Sequence, residues 1–429
     1  MSEVFVIQIN FFLYLFLSIF LAKMKGGYSL VAIVSYFYSL GAFFSLLLYF
    51  NPLYITTYSA SGTATIEACL YSFIVNFLLI TSFYTTEIDN VKKITRYNEV
   101  FLFKLEKFLC VLFVIYLMFS LPSSISKFFS GANLADFRNE LYGNNSSNSF
   151  FLISLISRFF GSMPIVLLGI VLIRIILLKK RSIWDSFSLA VYVLIKINTV
   201  LAAVTRQTII FSALEVVIAL FVFRKHLSKT IKKKILKYAL IIVPFMYSTF
   251  SLISYARFGV NGVENENLAT LRYAGEANLN FMNLMYGNVS TPFMGYSQFP
   301  LFRRILGLSY DDGTTRDGAT VFNTYIQSHY HYYNPTYIFH GLVGNFYSNY
   351  GSIGCIILSL LINIAMRHTF RNKKQVSCIS IIVSIIMGAY IAKGIFYGDY
   401  GFESGNFLLF YLFVMGYILK TTGYSLKIK

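Results

Sequence analysis

The hydrophobic pattern of this chain is a succession of continuous apolar runs separated by short polar connectors. A bilayer core takes about 20 apolar residues in a helix rising 1.5 Å per residue. On that rule spanning helices are predicted over 4–22, 28–50, 65–85, 105–122, 156–178, 187–204, 207–223, 236–255, 340–366, 375–396 and 405–420. The runs do not alternate apolar and polar positions, which excludes a transmembrane β-barrel. One stretch breaks the rhythm: from Tyr255 to Pro335 about eighty residues pass without a spanning run, more than a connector between helices requires. Inside it, Asn280 to Gly287 and Pro300 to Leu308 set bulky apolar residues beside polar ones. Such segments suit short helices lying at the membrane surface, so the stretch is expected to fold over the spans. The expected architecture is all-α: a polytopic bundle of about eleven helices forming one membrane domain over 1–429, with 256–339 as a single large external loop.

Composition agrees with the pattern. Hydrophobic residues make up 56% of the 429 and the mean hydropathy is +0.64, against about 45–50% apolar residues in ordinary soluble proteins. The first apolar run follows Met1-Ser2-Glu3 and precedes Lys23 and Lys25. That charge order is the reverse of a secretory signal, so the run is expected to remain as the first span. Cys69, Cys110, Cys355 and Cys378 fall in or beside apolar runs at unrelated spacings, which argues against a disulfide framework or a metal site.

The net charge of +18 is concentrated in every second connector: Lys23 and Lys25; Lys92, Lys93, Arg96 and Lys104; Lys179 to Arg181; Arg224 to Lys234; Arg367 to Lys374; and Lys420, Lys427 and Lys429. The positive-inside rule makes these cytoplasmic, with the N-terminus outside and the C-terminus inside. The remaining connectors, 51–64, 123–155, the turn at Arg206, the long loop and 397–404, are then external. No nucleic-acid-binding motif accompanies the charge, so the expected partners are membrane lipids and not nucleic acid. No internal repeat is visible, which counts against transporters built from inverted repeats.

Charges inside apolar runs cost about 2.5–3.5 kcal/mol each on insertion scales. Lys196 and Glu215 lie about ten residues either side of a turn at Thr205-Arg206, at nearly equal depth, roughly 14 Å from it. They are expected to pair, either as a structural ion pair or within a buried cavity. Arg206 itself stands at an external turn, where its guanidinium can fork onto a phosphate or snorkel to headgroups. The long loop adds Arg257, Arg272, Arg303, Arg304 and Arg316. Fixed arginines outside the bilayer can stabilise a departing pyrophosphate. Of these, Arg257 emerges from a span and Arg272 lies in the compact run Arg272-Tyr273-Ala274-Gly275-Glu276, whereas Arg303 and Arg304 read as surface charges.

His329, His331 and His340 sit at the external end of the ninth predicted span, and Glu276 is a carboxylate alternative to them as a base. Tyr325, Tyr330, Tyr332, Tyr333 and Tyr337 offer faces suited to sugar rings and equally to the membrane interface. Neither His329-Tyr330-His331 nor Asp311-Asp312-Gly313 has the ligand count of a known metal site, so no metal or cofactor is expected. Gly341, Gly344, Gly351 and Gly354 allow either close helix packing or local irregularity where the ninth span begins.

Taken together, the many spans, the late external loop, Thr205-Arg206 before it, the run Arg272 to Asn278, Phe322 to Tyr325 and Phe346 to Gly354 resemble the oligosaccharide repeat-unit polymerases, the Wzy-type O-antigen and capsule polymerases. The resemblance implies a fold like that of O-antigen ligases and GT-C glycosyltransferases, in a bacterial inner membrane. It implies inverting, metal-independent glycosyl transfer on undecaprenyl-pyrophosphate-linked glycans, with a chain-length regulator as a further candidate partner. Arg206, Arg257, Arg272 and Arg316, with Tyr273 and Tyr325, would contact pyrophosphate and glycan, and His329, His331 or Glu276 would act as base. An arginine followed by ten residues and a glycine, described in some members, is missing from the long loop. The rival readings are a flippase of the same lipid-linked glycans and a ligase-like glycosyltransferase.

Overall fold

The structure is a computed structural model that describes residues 2–54 (except 26 and 28), 64–85, 91–129, 151–203 (except 181), 206–233, 266–287, 340–370, 374–396 and 403–427, with isolated positions between them. The helices are α1 (Glu3–Met24), α2 (Leu30–Tyr49), α3 (Ile66–Thr81), α4 (Glu99–Phe129), α5 (Phe151–Phe160), α6 (Pro164–Leu172), α7 (Ile183–Ala203), α8 (Arg206–Val222), α9 (Glu266–Tyr286), α10 (Gly341–Thr369), α11 (Cys378–Lys393) and α12 (Glu403–Thr422). Three short strands join them: β1 (Lys93–Tyr97), β2 (Gln375–Ser377) and β3 (Tyr424–Lys427). Among the described residues seven helices are long and apolar enough to cross a membrane, and three shorter apolar ones accompany them. The chain is therefore a helical membrane protein. The predicted span over 236–255 lies outside the described residues.

The chain divides into two compact units, one of 1–87, 267–371 and 387–407, the other of 88–266, 372–386 and 408–429. In the first, α1, α2 and α3 are tied at both ends. At one end the Glu3 carboxylate accepts hydrogen bonds from Tyr49 Oη (2.7 Å) and Ala64 N (2.9 Å). At the other, Lys25 Nζ donates to the Tyr84 carbonyl (2.5 Å), and Asn363 and Arg367 of α10 donate to the carbonyls of Leu78 and Thr81. Between the ends, buried Asn76 donates to Tyr14 Oη (2.7 Å), a polar link between α3 and α1 inside the bundle.

Helix α10 is broken at Gly351, whose φ of 69° and ψ of −178° no helix accommodates. The segment 341–350 is thus a separate short helix, and 352–369 runs on toward Arg367. The break confirms local irregularity at the glycine-rich entry of this span. Tyr71 Oη of α3 donates to the Ser352 carbonyl (2.7 Å), fastening α3 to the residue just past the break.

In the second unit three of the six basic connectors are zipped into one sheet of order β2-β1-β3, with β1 parallel to β2 and antiparallel to β3. Connectors that share a sheet share a membrane side, so these three basic connectors lie on one side together. Three predicted boundaries are corrected here. The run 156–178 is not one helix: the chain turns at 161–163, restarts with Pro164, which favours a helical first position, and ends in a π-helical turn at Ile173–Leu177. The run 375–396 opens with a strand, leaving α11 as a shorter helix. And Asn280 to Gly287 is not a short surface helix. It is the end of the 21-residue α9, in which Asn280, Phe281, Met282 and Leu284 are buried.

Candidate functional site

Helix α9 brings part of the long polar stretch into the first unit. Its residues are too polar to read as a span, and its docking is correspondingly polar. Gly275 lies against α2 so closely that an added Cβ would fall 2.4 Å from the Phe44 carbonyl carbon and 2.5 Å from Ser45 N. Ser45 Oγ donates to the Gly275 carbonyl (2.6 Å) and accepts from Asn278 Nδ2 (3.2 Å). Apolar contacts flank this seam: Leu268 and Leu279 pack with Ile7, Leu48 and Tyr54, and Met282 packs with Val6, Ala68 and Cys69. All of these partners lie at the end of the bundle marked by Glu3, Tyr49 and Ala64, away from Lys25 and Tyr84.

Arg272, Glu276 and Asn280 follow one another at four-residue intervals and so share a face of α9. All three are buried, and Arg272 Nη2 stands 3.5 Å from Glu276 Oε1. Contacts one residue further round α9 show what packs beside this face. The Tyr273 ring lies 6.1 Å from that of Phe396, and Phe281 meets Tyr347 edge-on at 5.8 Å. Gly341 N donates to the Phe396 carbonyl (2.8 Å), and Leu342 N to that of Gly394 (2.7 Å). Three segments, 272–281, 340–347 and 391–396, therefore converge, and they carry buried Arg272, Glu276, Asn280, His340 and Lys393.

Two cations, a carboxylate, an imidazole and an amide, carried buried on these three packed segments, are the residue types able to bind an anion and move a proton. Guanidinium forks match phosphate geometry, and a carboxylate held as its anion can accept a proton. Among the described residues no three His, Cys, Asp or Glu side chains gather in a metal-binding cluster.

Of the residues singled out from sequence, the structure brings Arg272 and Glu276 together and sets Tyr273 beside them. Arg206 is the first residue of α8, but its side chain lies outside the described residues, as do Arg257, Arg303, Arg304, Arg316, Tyr325, His329 and His331. The expected pairing across the α7–α8 hairpin is present: Lys196 Nζ is 2.6 Å from Glu215 Oε2, which also accepts from Tyr192 Oη at 3.0 Å. Lys393 is new. It ends an apolar run next to Gly394, where a lysine reads as a boundary marker, and only the pairing of 394–396 with 341–342 places its segment beside the start of α10.

A second buried charge group was equally hidden. In the second unit, Arg174 within the π-helical turn meets Glu106 at 2.5 Å and Asp185 at 3.5 Å, all three almost fully buried. Ser188 donates to Glu106 Oε1 (2.6 Å), and Asp185 Oδ2 accepts from Ser182 N (2.6 Å), forming a capping box with Ser182 at the start of α7. The available signal was that Glu106 and Arg174 are charges placed inside the apolar runs 105–122 and 156–178.

No protein-family model, curated protein or solved structure matches the chain.

Proposed function

We propose that this chain is a glycosyltransferase that polymerises undecaprenyl-pyrophosphate-linked oligosaccharide repeat units, with the α9 region as its transfer site. The observation that carries the reading is the Arg272 and Glu276 pair, buried on a helix supplied by the one long polar stretch of the chain. In the proposed reaction the acceptor sugar hydroxyl attacks the anomeric carbon of the donor glycan. The bond from that carbon to the pyrophosphate oxygen breaks, and the electron pair leaves with the pyrophosphate. Glu276 takes the hydroxyl proton, with His329 or His331 as the alternative bases. Arg272 holds the pyrophosphate as its negative charge grows, and Arg206, Arg257 and Arg316 add further contacts. Tyr273 and Tyr325 lie against sugar rings.

The positive-inside rule supports placing this site outside. α9 docks at the bundle end away from Lys25, and Lys25 belongs to the basic connectors. A bacterial inner-membrane location, a GT-C-like or ligase-like fold and an external N-terminus belong to the same proposal. Arg272→Lys keeps a charge beside Glu276 but loses the planar fork. In cells it is expected to leave protein abundance near wild type while long glycan chains give way to single-repeat product. An unaltered ladder would reject the role of Arg272, and loss of all surface glycan with lipid-linked units trapped inside would favour the flippase.

A further inference from the structure

The sheet joining the basic connectors has an exposed face whose electrostatics are unfavourable by themselves. Lys93 of β1 stands directly opposite Lys427 of β3, and Ile94 stands opposite Leu426. Facing residues of an antiparallel pair project to the same side, so the two ammonium groups share a face, and like charges so placed destabilise a sheet. Lys92 is exposed beside them, its backbone N–H bonded, like that of Lys93, to the Lys374 carbonyl. The register then shifts between Ile94 and Tyr97, a bulge that turns Arg96 outward with φ of 53°. Among the described residues the only other non-glycine residue with positive φ is Lys179 (52°), also exposed, next to Lys180, which reaches back to Glu99 (2.5 Å). Left-handed backbone at a non-glycine residue is uncommon and strained, and here it recurs at two outward-facing cations.

The described acidic side chains of this unit are engaged elsewhere, Glu99 with Lys180, Glu106 and Asp185 with Arg174, and Glu215 with Lys196. The height of the sheet is fixed by its neighbours. Only Asn98 separates β1 from α4, only Gly423 separates α12 from β3, and β2 runs straight into α11. A sheet tethered that tightly to the ends of apolar helices sits among lipid headgroups, where the available anion is a phosphodiester. We propose that the exposed face of this sheet is a binding site for anionic phospholipid headgroups, contacted by Lys93, Lys427 and Arg96. The lipid phosphate neutralises the facing lysines and thereby locks together connectors far apart in sequence.

The test titrates the full-length purified protein in detergent with phosphatidylglycerol or phosphatidylcholine, counting bound lipid by native mass spectrometry and following thermal unfolding. Preferential binding of phosphatidylglycerol is expected, with the preference falling about fivefold for each lysine removed in Lys93→Gln and Lys427→Gln. The double variant is also expected to unfold at a higher temperature than wild type in phosphatidylcholine, because repulsion is relieved, and to gain less from phosphatidylglycerol. Lys232→Gln/Lys233→Gln, which removes the same charge from another connector, is expected to keep the preference. Equal binding of the two lipids, an unchanged preference in the Lys93 and Lys427 variants, or an equal loss in the control pair would overturn the proposal. So would inorganic phosphate reproducing the full stabilisation, which would assign the site to a free anion.

Discussion

Two buried charge groups among the described residues, around Arg174 and around Arg272, differ in how helix architecture accounts for them. Around Arg174, each carboxylate has a second structural duty: Glu106 accepts from Ser188, and Asp185 caps α7. The group joins α4, the π-helical turn and α7, and its contact with Glu106 is as short as an ion pair allows. Around Arg272 the pair lies within one helix and meets at 3.5 Å, and that helix packs beside a segment whose own backbone is irregular, with Gly341 and Gly351 both at positive φ. Ion pairs that bridge separate helices hold those helices together. A charge pair within one helix, beside broken helices, is the arrangement expected where a ligand must be admitted.

That contrast can be broken most severely at Arg174. Arg174→Ala strands two buried carboxylates and is expected to lower stability by about 3–5 kcal/mol, read as a fall in the thermal unfolding midpoint, with glycan transfer per folded molecule unchanged. Glu276→Gln is its counterpart: unfolding near wild type, with turnover reduced about 10²- to 10⁴-fold, as removal of a general base requires. If Glu276→Gln unfolds the protein, or Arg174→Ala abolishes transfer in folded protein, the two regions have been assigned the wrong way round.

Docking of α9 gives a smaller effect. Gly275→Ala pushes a methyl group into the α2 backbone and is expected to cost about 1–3 kcal/mol. Limited proteolysis of the long stretch should rise with it. At Gly416 an added Cβ meets nothing closer than Ile379 at 3.7 Å, so Gly416→Ala is expected to be neutral or stabilising, by up to about 1 kcal/mol. Between these lies the α7–α8 hairpin. Lys196 is partly exposed, so Lys196→Met should cost about 1–2 kcal/mol, and adding Glu215→Gln should recover most of it in a double-mutant cycle.

Much of the fold was legible because spanning helices write themselves as apolar runs. α1, α2 and α3 fall within a few residues of the predicted segments, and the partnership of Lys196 with Glu215 followed from counting residues away from a turn. What escaped detection had no local signal. α9 is buried through Ser45, Gly275 and Asn278, so its sequence looks like loop. The strands are three to five residues long and find partners hundreds of positions away. A π-helical turn places Arg174 by a one-residue change of phase that periodicity does not reveal. For the site, Arg272, Tyr273 and Glu276 were legible as a compact polar run, whereas Lys393 became visible only through the backbone pairing of 394–396 with 341–342.

The most direct measurement incubates purified wild-type and Glu276→Gln protein with defined undecaprenyl-pyrophosphate repeat units and resolves the products by length. The account predicts that wild type extends the glycan to long chains, releasing one undecaprenyl pyrophosphate per addition, while the variant, folded to the same unfolding midpoint, leaves the repeat units unjoined. Polymer of equal length from both proteins would contradict it.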